Sequence, residues 1–146
     1  AVCHRWSESE IRARVEAIQT KVADGKLEAE KAIVKAHFDV AYCVGAGVDG
    51  AVLAEVRGLI RQAQFRWDYV SANNGMGFHS PQESMRILAD AINQAQEARL
   101  MAARLLAGKG IAGEPAYPDV STRAKAVAVA SDFVAGDGMK HLTDRP

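Results

Sequence analysis

Apolar residues recur at every third or fourth position through most of this chain. In "SESEIRARVEAIQTKVADGKLEAEKAIVKAHFDVAYCVGAG", Ile11, Val15, Ile18 and Val22 follow at steps of four, three and four, which puts them on one helix face. Ser7 and Glu10 form a capping-box pair ahead of that run. Gly25 weakens the middle by about 1 kcal/mol without breaking it, and Gly45 and Gly47 end it. The pattern predicts a long helix over 7–45. A second helix is expected over about 50–73, with Val52, Val56, Leu59, Ala63, Trp67 and Val70 as its stripe, stopped by "NNGMGFHSP". A third starts at Ser80. Pro81 stands in its first turn, where a missing N–H costs nothing, and Glu83 completes a second capping box. Met85, Leu88, Ile92 and Ala95 face one way, and Ala98, Ala102 and Leu105 carry the stripe to about 107. "GKGIAGEPAYPD" reads as a linker, 121–134 as a short helix, and the last dozen residues as a loose tail. Nothing reads as a strand. Three long helices with short connections must bury their stripes on one another or on a partner. The expected fold is all-α, an extended bundle of long antiparallel helices. It forms a single helical region over 1–146, in which 7–107 holds the long helices and 108–146 the linker, short helix and tail.

Composition narrows the function. Of 146 residues, Lys and Arg number 18 and so do Asp and Glu, giving zero net charge and no support for nucleic-acid binding. No run approaches the roughly 18 apolar residues of a membrane-spanning helix. No basic stretch, apolar run and small-residue cleavage site stands at the start, although a mature exported protein or a fragment would lack them too. Cys43, inside "DVAYCVGAG", reads as a small buried hydrophobe. "GAGVDG" joins two helices and so lacks the strand-turn-helix context of a nucleotide-binding loop. Carboxylates such as those of "KLEAEKAIVK" sit beside Lys at solvated positions and read as surface ion pairs. No Glu-x-x-His spacing recurs, which argues against a di-iron bundle site.

The histidines and the first cysteine carry the remaining chemistry. "AVCHRW" places Cys3 beside His4, the tail of the C-x-x-C-H signature of c-type haem attachment, with the first cysteine one place before the chain begins. An accident at an N-terminus is the other reading of that pair. His37 sits mid-helix in "KAHFDVA" and reads as packed or half-exposed; His141 lies in the tail and reads as solvated. His79 directly precedes a helix on a glycine-rich loop beside Phe78 and Met76, flanked by rigid elements, which suits a fixed axial ligand.

The segment "QAQFRWDYVSANNGMGFHSPQESMRILADAINQAQEARLMAARLLA" resembles the C-terminal helical region of ammonia-forming cytochrome c nitrite reductase. "CHRWSESEIRARVEAIQ" before it and "PDVSTRAKAVAVA" after it extend the resemblance over nearly all residues, with Ala63–Glu83 its most specific part. The resemblance implies a multihaem cytochrome c fold in which residues 1–6 close the last of five haem-attachment motifs. Cys3 would form a haem c thioether and His4 would be the proximal ligand of that haem iron. His79 would be the distal ligand of the neighbouring haem. Bis-histidine haems have no open position, so they carry electrons and bind no substrate. The family's catalytic haem, with its lysine ligand, its nitrite-binding residues and a nearby calcium ion, has no motif here. The implied role is therefore the electron-relay and dimerisation region of an enzyme reducing nitrite to ammonium with six electrons, without catalytic residues of its own. Gln62-Ala63-Gln64-Phe65 departs from the His-Ala-Gln-Trp of many relatives, at a position not assigned as a ligand.

The resemblance further implies a periplasmic, exported protein, a membrane-anchored or soluble cytochrome as electron donor, an N-terminal haem-bearing part, and a homodimer through the long helices. The alanines Ala91, Ala95, Ala98 and Ala102 suggest the third helix, from Asp90 to Leu105, as the dimer seam, with help from the second. The alternative from another class is a cofactor-free helical interaction domain in which Cys3-His4 is accidental.

Overall fold

The computed structural model describes residues 5–143. Those residues form helices α1 (Glu8–Gly45), α2 (Ala54–Ala72), α3 (Pro81–Gly108), α4 (Arg123–Ala135) and α5 (Lys140–Thr143), with no strand among them. The all-α expectation is met, and the three long helices pack on one another.

The predicted start of α1 is built as read. The Ser7 hydroxyl accepts from the Glu10 N–H, and the Glu10 carboxylate accepts from the Ser7 N–H at 2.9 Å. The other two starts differ. Asp49 accepts from the Ala51 N–H at 2.7 Å, a turn that delays α2 to Ala54. Leu53 rather than Val52 is thereby buried, and Val52 faces solvent. At α3, Ser80 makes no side-chain cap. The Glu83 carboxylate is instead gripped by the Arg86 guanidinium at 2.6 and 2.8 Å, so the expected second capping box is absent.

α1 and α3 run parallel in fixed register. Gly25 lies against Met85, Asp39 against Arg99, and the Cys43 thiol reaches the Ala102 carbonyl at 3.6 Å. α2 returns antiparallel to both: Trp67 Nε1 donates to the Lys26 carbonyl at 3.1 Å, and Gln94 Nε2 donates to Gln62 Oε1 at 2.9 Å. The buried line of α3 is Ser84, Leu88, Ala91, Ala95, Ala98, Ala102 and Leu106. Small side chains there let the helix axes approach closely. The four alanines expected in the dimer seam are fully buried inside the chain, against α1 and α2, so their side chains do not reach a partner. Met85, expected on the inward stripe, is largely exposed.

Because α3 begins at Pro81, opposite the Lys21–Val22 level of α1, the stretch of α1 from Glu8 to Thr20 runs on beyond it, about 20 Å at 1.5 Å per residue. Ile11, Val15 and Ile18 on this overhang are only half-buried.

The segment read as a linker is pinned to the bundle by a buried polar cluster. Asp39, 4% exposed, accepts from Arg99 Nε at 3.1 Å and from the Tyr117 hydroxyl at 2.7 Å. Arg99 also donates to Glu114 at 2.8 Å. Burial pushes the Asp39 carboxyl above its ordinary range, outweighing the pull of Tyr117 and Arg99. The tail is not loose through residue 143. Leu142 is buried, and His141, expected in solvent, sits 2.7 Å from the Asp132 carboxylate. Asp39→Ala would strand a guanidinium and a hydroxyl in the cluster. We expect it to cost about 3 kcal/mol, seen as a lower urea midpoint at unchanged m-value; a midpoint equal to wild type would contradict this role.

Candidate functional site

The turn between α2 and α3 is closely determined by its backbone and packing. Gly75, Met76 and Gly77 are consecutive residues of positive φ, at 86°, 49° and 73°. The Phe78 N–H donates to the Gly75 carbonyl at 3.0 Å and the Ser80 N–H to the Gly77 carbonyl at 3.1 Å. Ser84, one turn into α3, donates to the Ser80 carbonyl from its N–H and its hydroxyl, each at 3.0 Å. Gly77 is buried beneath these bonds. A Cβ there would stand 2.8 Å from Ser84 Oγ and 2.9 Å from Val22 Cγ2, so only glycine fits.

α1 clamps the other side of the loop. Gln19 Nε2 donates to the Gly75 carbonyl at 3.1 Å. Lys26 lies over the Trp67 ring at 5.4 Å and beside Met76 Sδ. The loop thus rests on the point where the α1 overhang begins.

On this support stands His79. Its ring meets Phe78 edge-on, with centroids 5.3 Å apart. It is exposed, and neither ring nitrogen has a hydrogen-bond partner among the described residues. An imidazole nitrogen held on a rigid loop and left open to the outside is a suitable donor for one axial position of a haem iron. No cluster of three or more His, Cys, Asp or Glu side chains able to hold a metal occurs among the described residues. The half-buried Ile11, Val15 and Ile18 offer apolar surface next to this loop. The chain from Glu8 to Gln19 rises about 17 Å.

The other sequence candidates are not gathered here. Cys3 and His4, predicted as thioether and proximal ligand, lie outside the described residues. His37 lies on α1 about 27 Å along the helix from the Gln19 level, where it lines a groove between α1 and α2. Burial pushes its pKa below the ordinary imidazole value. His141 is tied to Asp132 at the far end of the chain. Sequence reasoning missed Gln19, Val22 and Ser84 as supports of the loop. Nothing local marks Gln19 and Val22, which act across a chain reversal, whereas Ser84 acts on the Ser80 carbonyl four residues before it.

Comparison with known proteins supplies the family. The cytochrome c552 family model matches residues 1–142. A cytochrome c-552 of Porphyromonas gingivalis is 40% identical over 124 residues, 85% of this chain and 25% of its own length. One from Bacteroides fragilis is 39% identical over 125 residues, 86% of this chain and 25% of its own. The chain spans about a quarter of the length of these relatives. The matching family is named cytochrome c552, and neither it nor these relatives is named for nitrite. That finding corrects the family expected from the sequence, ammonia-forming cytochrome c nitrite reductase. What it supports is a c-type cytochrome's role, electron transfer with covalently bound haem c. The chain belongs to the cytochrome c552 family.

Proposed function

We propose that this chain is an electron-relay segment of a longer c-type cytochrome, in which His79 is the distal axial ligand of one haem iron. The observation that carries the reading is the exposed, unbonded His79 ring on a loop that Gly77, Ser84 and Gln19 hold rigid. Haem c supplies a reversible one-electron couple when bound. The chain's part is to present one imidazole nitrogen at a fixed place and to offer Ile11, Val15 and Ile18 as apolar cover that keeps water from the macrocycle. Axial ligand, burial and nearby hydrogen bonds are the levers that set the potential.

In the same reading Cys3 forms one thioether to a second haem c and His4 is its proximal ligand. Both irons are then bis-histidine and closed to substrate. Covalent attachment to a cysteine favours an oxidising compartment, so the protein is placed in the periplasm and receives electrons from another cytochrome. The finer reading of the whole protein is that the relay feeds six-electron reduction of nitrite to ammonium. Its support is the sequence pattern of Ala63–Glu83 alone, and its catalytic residues and calcium ion would lie outside this chain.

The partner is proposed to be a second copy, and the surface differs from the alanine line of α3. Opposite the buried Val56, Ile60, Ala63 and Val70 of α2 run Ala54, Gly58, Phe65 and Tyr69, with Phe65 68% and Tyr69 56% exposed. Nothing stands above Gly58 within 4 Å of a Cβ placed there. Two α2 helices crossing antiparallel at Arg61–Gln62 would set each Phe65 over the other's Gly58 and each Tyr69 over the other's Ala54. A two-fold interface requires such self-complementarity.

Two measurements test these assignments in the full-length protein. His79→Ala should open one coordination position, converting part of the low-spin spectrum to high-spin and letting carbon monoxide bind one more reduced haem. An unchanged spectrum with unchanged carbon monoxide uptake would remove His79 from the site. Phe65→Glu with Tyr69→Glu should weaken self-association at least ten-fold in analytical ultracentrifugation. A dimer of wild-type affinity would place the interface elsewhere.

A further inference from the structure

Away from the His79 loop, a groove of about 380 Å³ runs between α1 and α2, lined by His37, Val40, Arg57, Ile60, Arg61 and Gln64. Its floor is apolar: Ile60 is buried and Val40 half-buried. Its rim is basic. Arg57 and Arg61 stand one turn apart on α2, a like-charge spacing that works against the helix by a few tenths of a kcal/mol. Elsewhere the chain often neutralises its surface cations locally, as Arg12 does with Glu16, Lys31 with Glu28 and Arg86 with Glu83 and Asp90. Neither Arg57 nor Arg61 has a carboxylate within 4 Å among the described residues, and no acidic side chain lines the groove. α2 carries two acidic residues, Glu55 and Asp68; neither pairs with either guanidinium, and Asp68 accepts instead from Gln64 Nε2 at 3.1 Å.

Two guanidinium groups without counter-charge, over an apolar floor, match one ligand class. We propose that this groove binds an amphiphilic carboxylate, with its apolar body against Val40 and Ile60 and its carboxylate forked by Arg57 and Arg61. The guanidinium fork fits a carboxylate with two parallel hydrogen bonds. His37 closes the groove from α1. Desolvation lowers its pKa from the ordinary imidazole value, and one ring N–H can donate to the same carboxylate. A ligand carrying the anion without the apolar body would leave the floor wet. One carrying the apolar body without the anion would leave both cations unpaired. This inference does not depend on haem ligation by His79, because the two sites lie on different parts of α1.

Octanoate is the probe, titrated into the full-length protein by calorimetry, with inorganic phosphate and octanol as the anion-only and apolar-only arms. The expected result is one octanoate per chain, bound at least ten-fold more tightly than either arm. Arg57→Gln with Arg61→Gln should lower octanoate affinity at least ten-fold. Arg104→Gln, which removes an arginine of α3 outside the groove, should leave it unchanged. Both residues of the double variant are exposed in the single chain; because Arg61 also stands at the proposed α2 crossing, unaltered sedimentation, haem spectrum and circular dichroism confirm its assembly and fold. No octanoate binding, equal binding of octanol or phosphate, or full affinity in the double variant would each overturn the proposal.

Discussion

The close approach of α1 and α3 along a line of small side chains is the contact on which the rest of the chain depends. Gly25 admits Met85, and Ala91, Ala95, Ala98 and Ala102 let α3 lie deep between α1 and α2. A parallel pair of long helices cannot be joined by a tight turn. α2 must therefore return the chain, and its 19 residues fall well short of the 38 of α1. The mismatch leaves the start of α1 uncovered and puts the α2–α3 loop at the foot of the overhang. The place of His79 follows from this register. The loop cannot slide while Gly77 is seated under Ser84 against Val22.

Much of this was legible locally and some was not. α1 was readable to within a residue because a capping box and a pair of glycines bound it. The α2 start was misplaced because Val52 and Leu53 are both apolar, and only the Asp49 side-chain turn decides which one faces inward. The Ser80–Glu83 spacing matched a capping box, but Arg86 competes for the same carboxylate and wins with two hydrogen bonds. The alanine line of α3 was legible as a close-packing surface. Its partner was not, since small residues suit an intrachain and an intersubunit contact equally well. The Asp39–Arg99–Tyr117 cluster joins residues far apart in the chain, and no spacing rule reaches that far.

His79 stood out in the sequence through its glycine-rich loop, and the structure adds the reasons the loop is rigid. The family match supports covalent haem c and electron transfer. The chain spans about a quarter of the length of the cytochrome c-552 relatives. An exposed histidine with no hydrogen bond among the described residues is free to take the ligand role proposed for it. The overhang of α1 has the same character, since its apolar residues Ile11, Val15 and Ile18 are only half-buried.

The claim at the centre of this account is that His79 ligates iron. Crystals of the full-length protein, with diffraction recorded on both sides of the iron absorption edge, test it without any substitution. The account predicts an anomalous iron peak within bonding distance of an imidazole nitrogen of His79, with a second histidine on the opposite face of that haem. A His79 ring facing solvent or protein, with every iron peak elsewhere, would contradict it.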